Sequence, residues 1–225
     1  MKKIKSYLYL ILGLFIASCS ESDGPVEMGI EGDASYTVTF TMHWNSTDFP
    51  KDYPSGAHFS PLIGWSHPAS SQLFNVGTTA SAGIESMAED GATATLQTEL
   101  EAKIAAGEGL DFVIGSGLGS GTGEITVDVD VNSENPAVTL VSMVAPSPDW
   151  YVAALNVNLY DGTHFATSKT ITAAVYDSGT DDGISFTSAN ADADPQGLIS
   201  LIIDAPLGDG TELPTAFATV TFVKK

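Results

Sequence analysis

Two acidic loops hold the residue types best suited to chemistry. In Tyr176-Asp177-Ser178-Gly179-Thr180-Asp181-Asp182-Gly183, two aspartates four apart flank a Ser-Gly-Thr turn. Such a turn can bend the chain until both carboxylates and a backbone carbonyl converge. Carboxylates gathered that closely repel one another unless a cation sits among them. Ca²⁺ takes about six to eight oxygens at about 2.3–2.6 Å, so a cup of this kind both needs and selects a hard dication. The EF-hand pattern is absent, because the stretch from Asp177 to Ser188 has no glutamate at its twelfth position. A second loop, Pro146-Ser147-Pro148-Asp149-Trp150, holds Asp149 between restricting prolines and a bulky aromatic. On spacing alone, each loop is more often a solvated turn, since Asp and Gly suit turns for backbone reasons.

Other chemistries find less support. The chain has 225 residues, 28 acids against 8 bases and a net charge of -20. Every base is lysine; without arginine the planar fork that recognises phosphate is missing, which argues against a nucleic-acid partner. One cysteine builds neither an intrachain disulfide nor a cysteine-based metal site, so a metal here must be held by oxygen. The glycine run Gly115 to Gly121 lacks the Gly-Lys-Ser/Thr of a phosphate loop, and Gly-x-Ser-x-Gly does not occur. His43, His58, His67 and His164 are scattered, without the i, i+4 spacing of a helical zinc site. His58 and His67 lie in proline-rich segments and read as packing residues; Trp44, Trp65 and Trp150 read as core or loop clamps more than as a sugar platform.

The acid loops need a scaffold, and the patterning supplies one. Tyr36, Val38, Phe40, Met42 and Trp44 alternate with polar residues, as do Ile125 to Val131 and Leu155 to Leu159, which is the period-two signature of half-buried strands. Further strands are expected at 110–114, 138–144, 169–175, 198–203 and 215–223. Between Ala80 and Ala106, apolar residues recur at three and four, with a break at Gly91 and a stop at Gly107, which predicts two short helices. With no strand-helix-strand rhythm and no internal repeat, the expected fold is all-β, an antiparallel β-sandwich with one or two short helices inserted. The glycine-dense stretch 107–123 reads as a mobile loop.

The N-terminus has a different role. Lys2, Lys3 and Lys5 precede an apolar run from Tyr7 to Ala17, too short to span a hydrocarbon core of about 30 Å as a helix. Ile16-Ala17-Ser18-Cys19 resembles a bacterial lipobox, so residues 1–18 are expected to be a lipoprotein signal peptide and Cys19 the lipidated residue. Residues 19–34 read as a flexible tether and 35–225 as one domain. Losing residues 1–18 removes three lysines and no acids, leaving a surface more anionic still, which would attach to a membrane through lipid alone.

The segments WNSTDFPKDYP (44–54), AHFSPLIGWSH (57–67), VSMVAPSPDW (141–150) and YDSGTDDGISF (176–186) resemble, in order and spacing, the spondin domain, the N-terminal module of the F-spondin and mindin family. The resemblance runs from about Ser35 to the C-terminus. It implies a C2-like β-sandwich with a bound Ca²⁺ whose carboxylates fall on Asp149, Asp177 and Asp181. Asp182 is expected to be solvent-exposed. Ser178 stands where the family often has alanine, a change expected to leave the cup undisturbed, and the cysteines of animal members are missing. By resemblance, the expected role is a non-catalytic module for adhesion or recognition of a glycan or protein ligand, tethered by lipid to the cell envelope at a bacterial outer membrane or cell surface. The alternatives are a carbohydrate hydrolase with paired carboxylates, which no pair in the sequence singles out, and a structural subunit of a surface complex.

Overall fold

The computed structural model describes residues 32–225; the expected signal segment, Cys19 and the expected tether as far as residue 31 lie outside the described residues. The elements run in the order β1 (Asp33–His43), β2 (His58–Phe59), β3 (Ile63–His67), α1 (Ala82–Asp90), α2 (Ala94–Ala105), β4 (Asp111–Ile114), β5 (Thr122–Asn132), β6 (Ala137–Ala145), β7 (Trp150–Asn158), β8 (Ser168–Asp177), β9 (Ser200–Leu201) and β10 (Ala218–Lys224). None of the described helices is long and apolar enough to cross a membrane.

All strand pairings are antiparallel, in the order β4-β3-β6-β7-β8-β10-β1-β5, with β2 on β6 and β9 on β8. The two layers of the expected sandwich are one continuous curled sheet. Residues 168–173 of β8 pair with β10, whereas 174–177 pair with β7, so one strand passes from layer to layer. The sheet's ends approach each other closely: a Cβ on Gly115, just after β4, would lie 2.5 Å from Val127 Cγ1 on β5.

Alternation explains the first layer. Tyr36, Val38, Phe40 and Met42 of β1 and Ile125, Val127, Val129 and Val131 of β5 point into the shared core, with Thr, Asp and Glu outward. In the second layer β6 is buried along its whole length. Its Val138, Leu140 and Val144 face that core, while Val141, Met143 and Ala145 face a second core with Ile84, Met87, Leu96 and Leu100 of the helices. A strand covered on both faces reads as an apolar run and not as an alternation.

The helices start and stop as the glycines suggest: Gly91, at φ 66°, caps α1, and Gly107, at φ 78°, follows α2. Two strands were not foreseen. β2 and β3 are set among Pro54, Pro61 and Pro68, whose spacing predicts turn-rich chain, yet the prolines fall outside the strands. Gly64 in β3 is in register with Leu140 of β6, and a Cβ there would sit 1.9 Å from the Thr139 carbonyl oxygen; on its other edge β6 shifts register against β7 between Val138 and Leu140. The glycine-dense segment is not the mobile loop expected. Phe59 N–H donates to the Leu118 carbonyl at 2.8 Å, Leu118 N–H to the Phe59 carbonyl at 3.0 Å and Gly115 N–H to the Leu62 carbonyl at 2.7 Å. The glycines there let backbone approach backbone.

His67 is a packing residue, fully buried and stacked on Trp65 with ring centroids 4.9 Å apart. His58 is not: it is exposed, its Nδ1 2.8 Å from the Gly56 carbonyl. His67 Nδ1–H donates to the Pro68 carbonyl at 2.9 Å, so Nε2, 2.9 Å from the Thr139 hydroxyl, accepts. Burial holds this imidazole below the usual histidine value, against weaker opposition from backbone hydrogen bonds. Its contribution is therefore complete above pH 6.5 and shrinks as pH falls, because the unfolded ring takes up a proton first. Denaturant unfolding at pH 7.5 and at 5.5 should show that His67→Gln moves the change of stability on acidification in the stabilising direction relative to the wild type; an identical pH dependence counts against a neutral buried His67.

Candidate metal centre

The β6–β7 loop and the segment after β8 meet because their strands are paired: Trp150 at the start of β7 is in register with Asp177 at the end of β8. Asp149, one residue before Trp150, therefore lies beside the turn 178–181. The Ser147 hydroxyl accepts the Trp150 N–H at 3.0 Å and shapes the first loop. Phe186 anchors the second, packing on Trp150 and Trp44 with centroids 5.2 and 5.3 Å apart. Trp44, Trp65 and Trp150 are all buried, which makes them core and clamp residues.

Asp149 is fully buried. Its Oδ2 accepts the Ser178 hydroxyl at 2.9 Å, the Thr180 N–H at 2.8 Å and the Asp181 N–H at 3.2 Å, and its carbonyl accepts the Ser178 N–H at 3.2 Å. Its Oδ1 is equally buried and has no hydrogen-bond partner. A carboxylate oxygen removed from water without a partner is costly, and one that is ionised costs more. Ser178 is thus not a neutral exchange for alanine, since its hydroxyl is one of the donors organising Asp149.

Asp177 Oδ1 accepts the Gly179 N–H at 2.8 Å, a turn that needs Gly179 at φ 73° pressed against Gly197. Burial, the Asp149 charge and, more weakly, Asp181 push the Asp177 carboxyl up to about 6, against the Gly179 N–H and the nearby Trp150 indole. The indole N–H makes no hydrogen bond of ordinary geometry. Asp181, 6% exposed, accepts Gly183 N–H at 2.6 Å on Oδ1 and Ala191 N–H at 2.8 Å on Oδ2. Asp182 is exposed, as expected.

The structure brings Asp149, Asp177 and Asp181 to one end of the sheet as mutually repelling neighbours. Among the described residues, no three His, Cys, Asp or Glu side chains are gathered tightly enough to hold a metal ion as they stand. The donor set nevertheless suits a hard cation: it is all oxygen, and Asp149 Oδ1 is the atom without a partner. One further acid, which the spacing of the two loops does not reveal, is nearby. Glu89, at the end of α1, lies half-buried by the Thr180 hydroxyl and feels the charges of Asp149 and Asp181. Its signal in the sequence is an acid in the last turn of a helix that has no base there.

The Spondin_N family model matches residues 34–208. Human spondin-2 is 34% identical over 180 residues, 75% of this chain and 52% of that protein. Rat spondin-1 is 28% identical over 173 residues, 73% of this chain and 21% of that protein, and Xenopus laevis spondin-1 is 29% identical over 176 residues, 75% and 22%. The chain spans about half the length of the spondin-2 proteins it matches and about a fifth of the spondin-1 proteins. With the match covering most of the described residues and both acid loops, the chain belongs to the spondin N-terminal domain family.

Proposed function

We propose that this chain is a calcium-binding, non-catalytic recognition module of the cell envelope, tethered through Cys19 and presenting its loops to an extracellular glycan or protein ligand. The observation that carries the reading is the buried, unpartnered Oδ1 of Asp149 beside Asp177 and Asp181. These three carboxylates would hold the ion, with Ca²⁺ preferred because every donor is oxygen. When bound it would neutralise the cluster and fasten the β6–β7 loop to the segment after β8, stabilising the folded state by mass action. The adhesion role follows from family membership and from loops exposed at one end of a rigid sheet. The tether rests on the lipobox-like Ile16-Ala17-Ser18-Cys19.

The hydrolase alternative has less to stand on. The carboxyls raised above their ordinary values, Asp177 and Glu89, belong to the same cluster as Asp149 and Asp181, so they do not mark a separate acid–base pair.

Three measurements test these readings. Millimolar Ca²⁺ should raise the melting temperature relative to chelator, and Asp177→Asn or Asp181→Asn should shrink that gain far more than Asp128→Asn, whose carboxylate pairs with Lys225 on the exposed face of β5. Equal losses would point to bulk charge, and no gain at all would reject the ion. In chelator the order reverses. The folded Asp177 carboxyl, at about 6 instead of 3.8, favours its neutral form, so at pH 7 the ionised group works against the fold. Asp177→Asn should then melt above the wild type, and a lower melting point would show that no such repulsion exists. Cys19→Ser should move the protein from the membrane fraction to the soluble one; continued attachment would reject the lipid anchor.

A further inference from the structure

Strands β7 and β8 carry a second polar site at the end of their pairing away from the acid loops. The acid loops lie where β7 begins and β8 ends, so the β7–β8 connection, residues 159–167, closes the opposite end. A cavity of about 350 Å³ opens there, with Asn158, Tyr160, Asp161, His164, Phe165 and Lys169 in its lining. Lys169 is cross-strand from Phe222, and directly opposed residues share one face of a sheet, so this lysine holds a core-facing position beside a fully buried ring. Its side chain is partly buried, and Nζ donates to the Asn158 carbonyl at 2.7 Å. That bond uses one of three ammonium donors. In a chain with 28 acids, Lys103 pairs with Glu108 and Lys225 with Asp128, whereas among the described residues no carboxylate pairs with Lys169. A cation drawn partly out of water without a counter-charge favours an anion beside it. The surrounding chain is held in place. The Tyr160 and Phe165 rings lie 4.6 Å apart, the Tyr36 hydroxyl donates to the Ala166 carbonyl at 2.6 Å, and Asp161 Oδ1 accepts the Thr163 and His164 N–H groups, both at 2.8 Å. The polar groups here exceed their internal partners: Asp161 Oδ2 is left to accept from elsewhere, and His164 Nε2 is buried with no hydrogen-bond partner.

We propose that this cavity is a glycan subsite that takes a uronic acid residue. The inference rests on the recognition role proposed above and gives it a ligand class and a place away from the cation site. Each feature of the cavity answers one of a uronate. The Lys169 ammonium offers its two remaining donors to the carboxylate. Asp161 Oδ2 accepts from one sugar hydroxyl, and the Asn158 amide, whose oxygen already accepts the Tyr160 N–H at 3.0 Å, donates its NH₂ to another. The Tyr160 ring, backed by Phe165, gives the C–H face of the sugar an apolar surface. The net charge of -20 opposes an anion at long range, but salt screens that repulsion beyond about 8 Å at physiological ionic strength, so the local ammonium decides.

The test is saturation-transfer NMR on the full-length protein with sodium glucuronate, sodium galacturonate, glucose and sodium acetate as probes. At least one uronate should bind with a millimolar Kd, as a single sugar in a shallow site does, and glucose and acetate should bind about tenfold more weakly or not at all. Lys169→Met keeps the aliphatic stem and removes the charge; it should weaken uronate binding by about tenfold, the loss expected with a charge-assisted hydrogen bond. Lys51→Met removes the same charge from an exposed lysine outside the cavity and should change nothing. Tyr160→Leu keeps an apolar contact with Phe165 and should weaken uronate binding several-fold, which keeps the site testable if Lys169→Met loses the fold. Glucose binding as tightly as the uronates would overturn the role of Lys169, and acetate doing so would overturn the sugar assignment. Equal losses in Lys169→Met and Lys51→Met would overturn the site in favour of bulk charge. Binding of neither uronate overturns the proposal as a whole. The effect of Ca²⁺ on melting temperature is read separately, so a failure at this cavity leaves the cation reading standing.

Discussion

A carboxylate with no access to water must be given partners by the protein, and Asp149 is given them unevenly. One oxygen accepts two amides and two hydroxyls from a single turn, and the other accepts none. The saturated oxygen explains the shape of the turn. Ser178, Thr180 and Asp181 are arranged around it much as a backbone nest surrounds an anion. The other oxygen is a buried acceptor to which no protein group donates. A buried charge without a counter-charge is among the most expensive features a fold can carry, and here two further aspartates and a glutamate stand close by.

The rest of the molecule keeps that carboxylate where it is. The pairing of β7 with β8 fixes Asp149 and Asp177 within one register step of each other. Because β8 also pairs with β10, the acid turn grows from the strand that joins the two layers, and its base is as rigid as the core. Phe186 closes the turn onto Trp150 and Trp44, so that an aromatic cluster with Phe59 and Phe217 lies directly beneath the charged one. The apolar floor limits water access and lowers the local dielectric. That both raises the Asp177 carboxyl and strengthens any interaction with a cation.

The charge elsewhere on the protein has a different character. Asp128, Asp161 and Asp209 are solvent-exposed and held below the ordinary aspartate value by hydrogen bonds, from Lys225 and Thr37 in the first case and from backbone amides in the other two. Such acids keep a surface soluble and hydrated. Among the described residues, only at the end of the sheet where α1, the β6–β7 loop and the turn after β8 meet do burial and like charge combine to raise carboxyl values. Net charge alone, large as it is, does not distinguish these two populations.

Local periodicity was enough to read most of the scaffold. The alternation in β1 and β5 reports a sheet with one face in water, and the three-and-four spacing between two glycines reports α1 and α2, because in each case neighbours along the chain share one environment. The two acid loops were visible for the same reason, as turn residues and carboxylates close in sequence. What the sequence could not convey depends on contacts between distant segments. β2 and β3 exist because β6 offers edges to pair with, and β3 carries Gly64 because the Thr139 backbone of β6 comes too close there for a side chain. The glycine-rich segment is fixed by hydrogen bonds to Phe59 and Leu62, roughly sixty residues away by loop closure that composition does not reveal. That Ser178 organises Asp149, that one oxygen of Asp149 lacks a partner, and that Glu89 reaches the cluster from a helix sixty residues upstream were decided only by folding, since burial and through-space charge are properties of the assembled core and not of any stretch of chain.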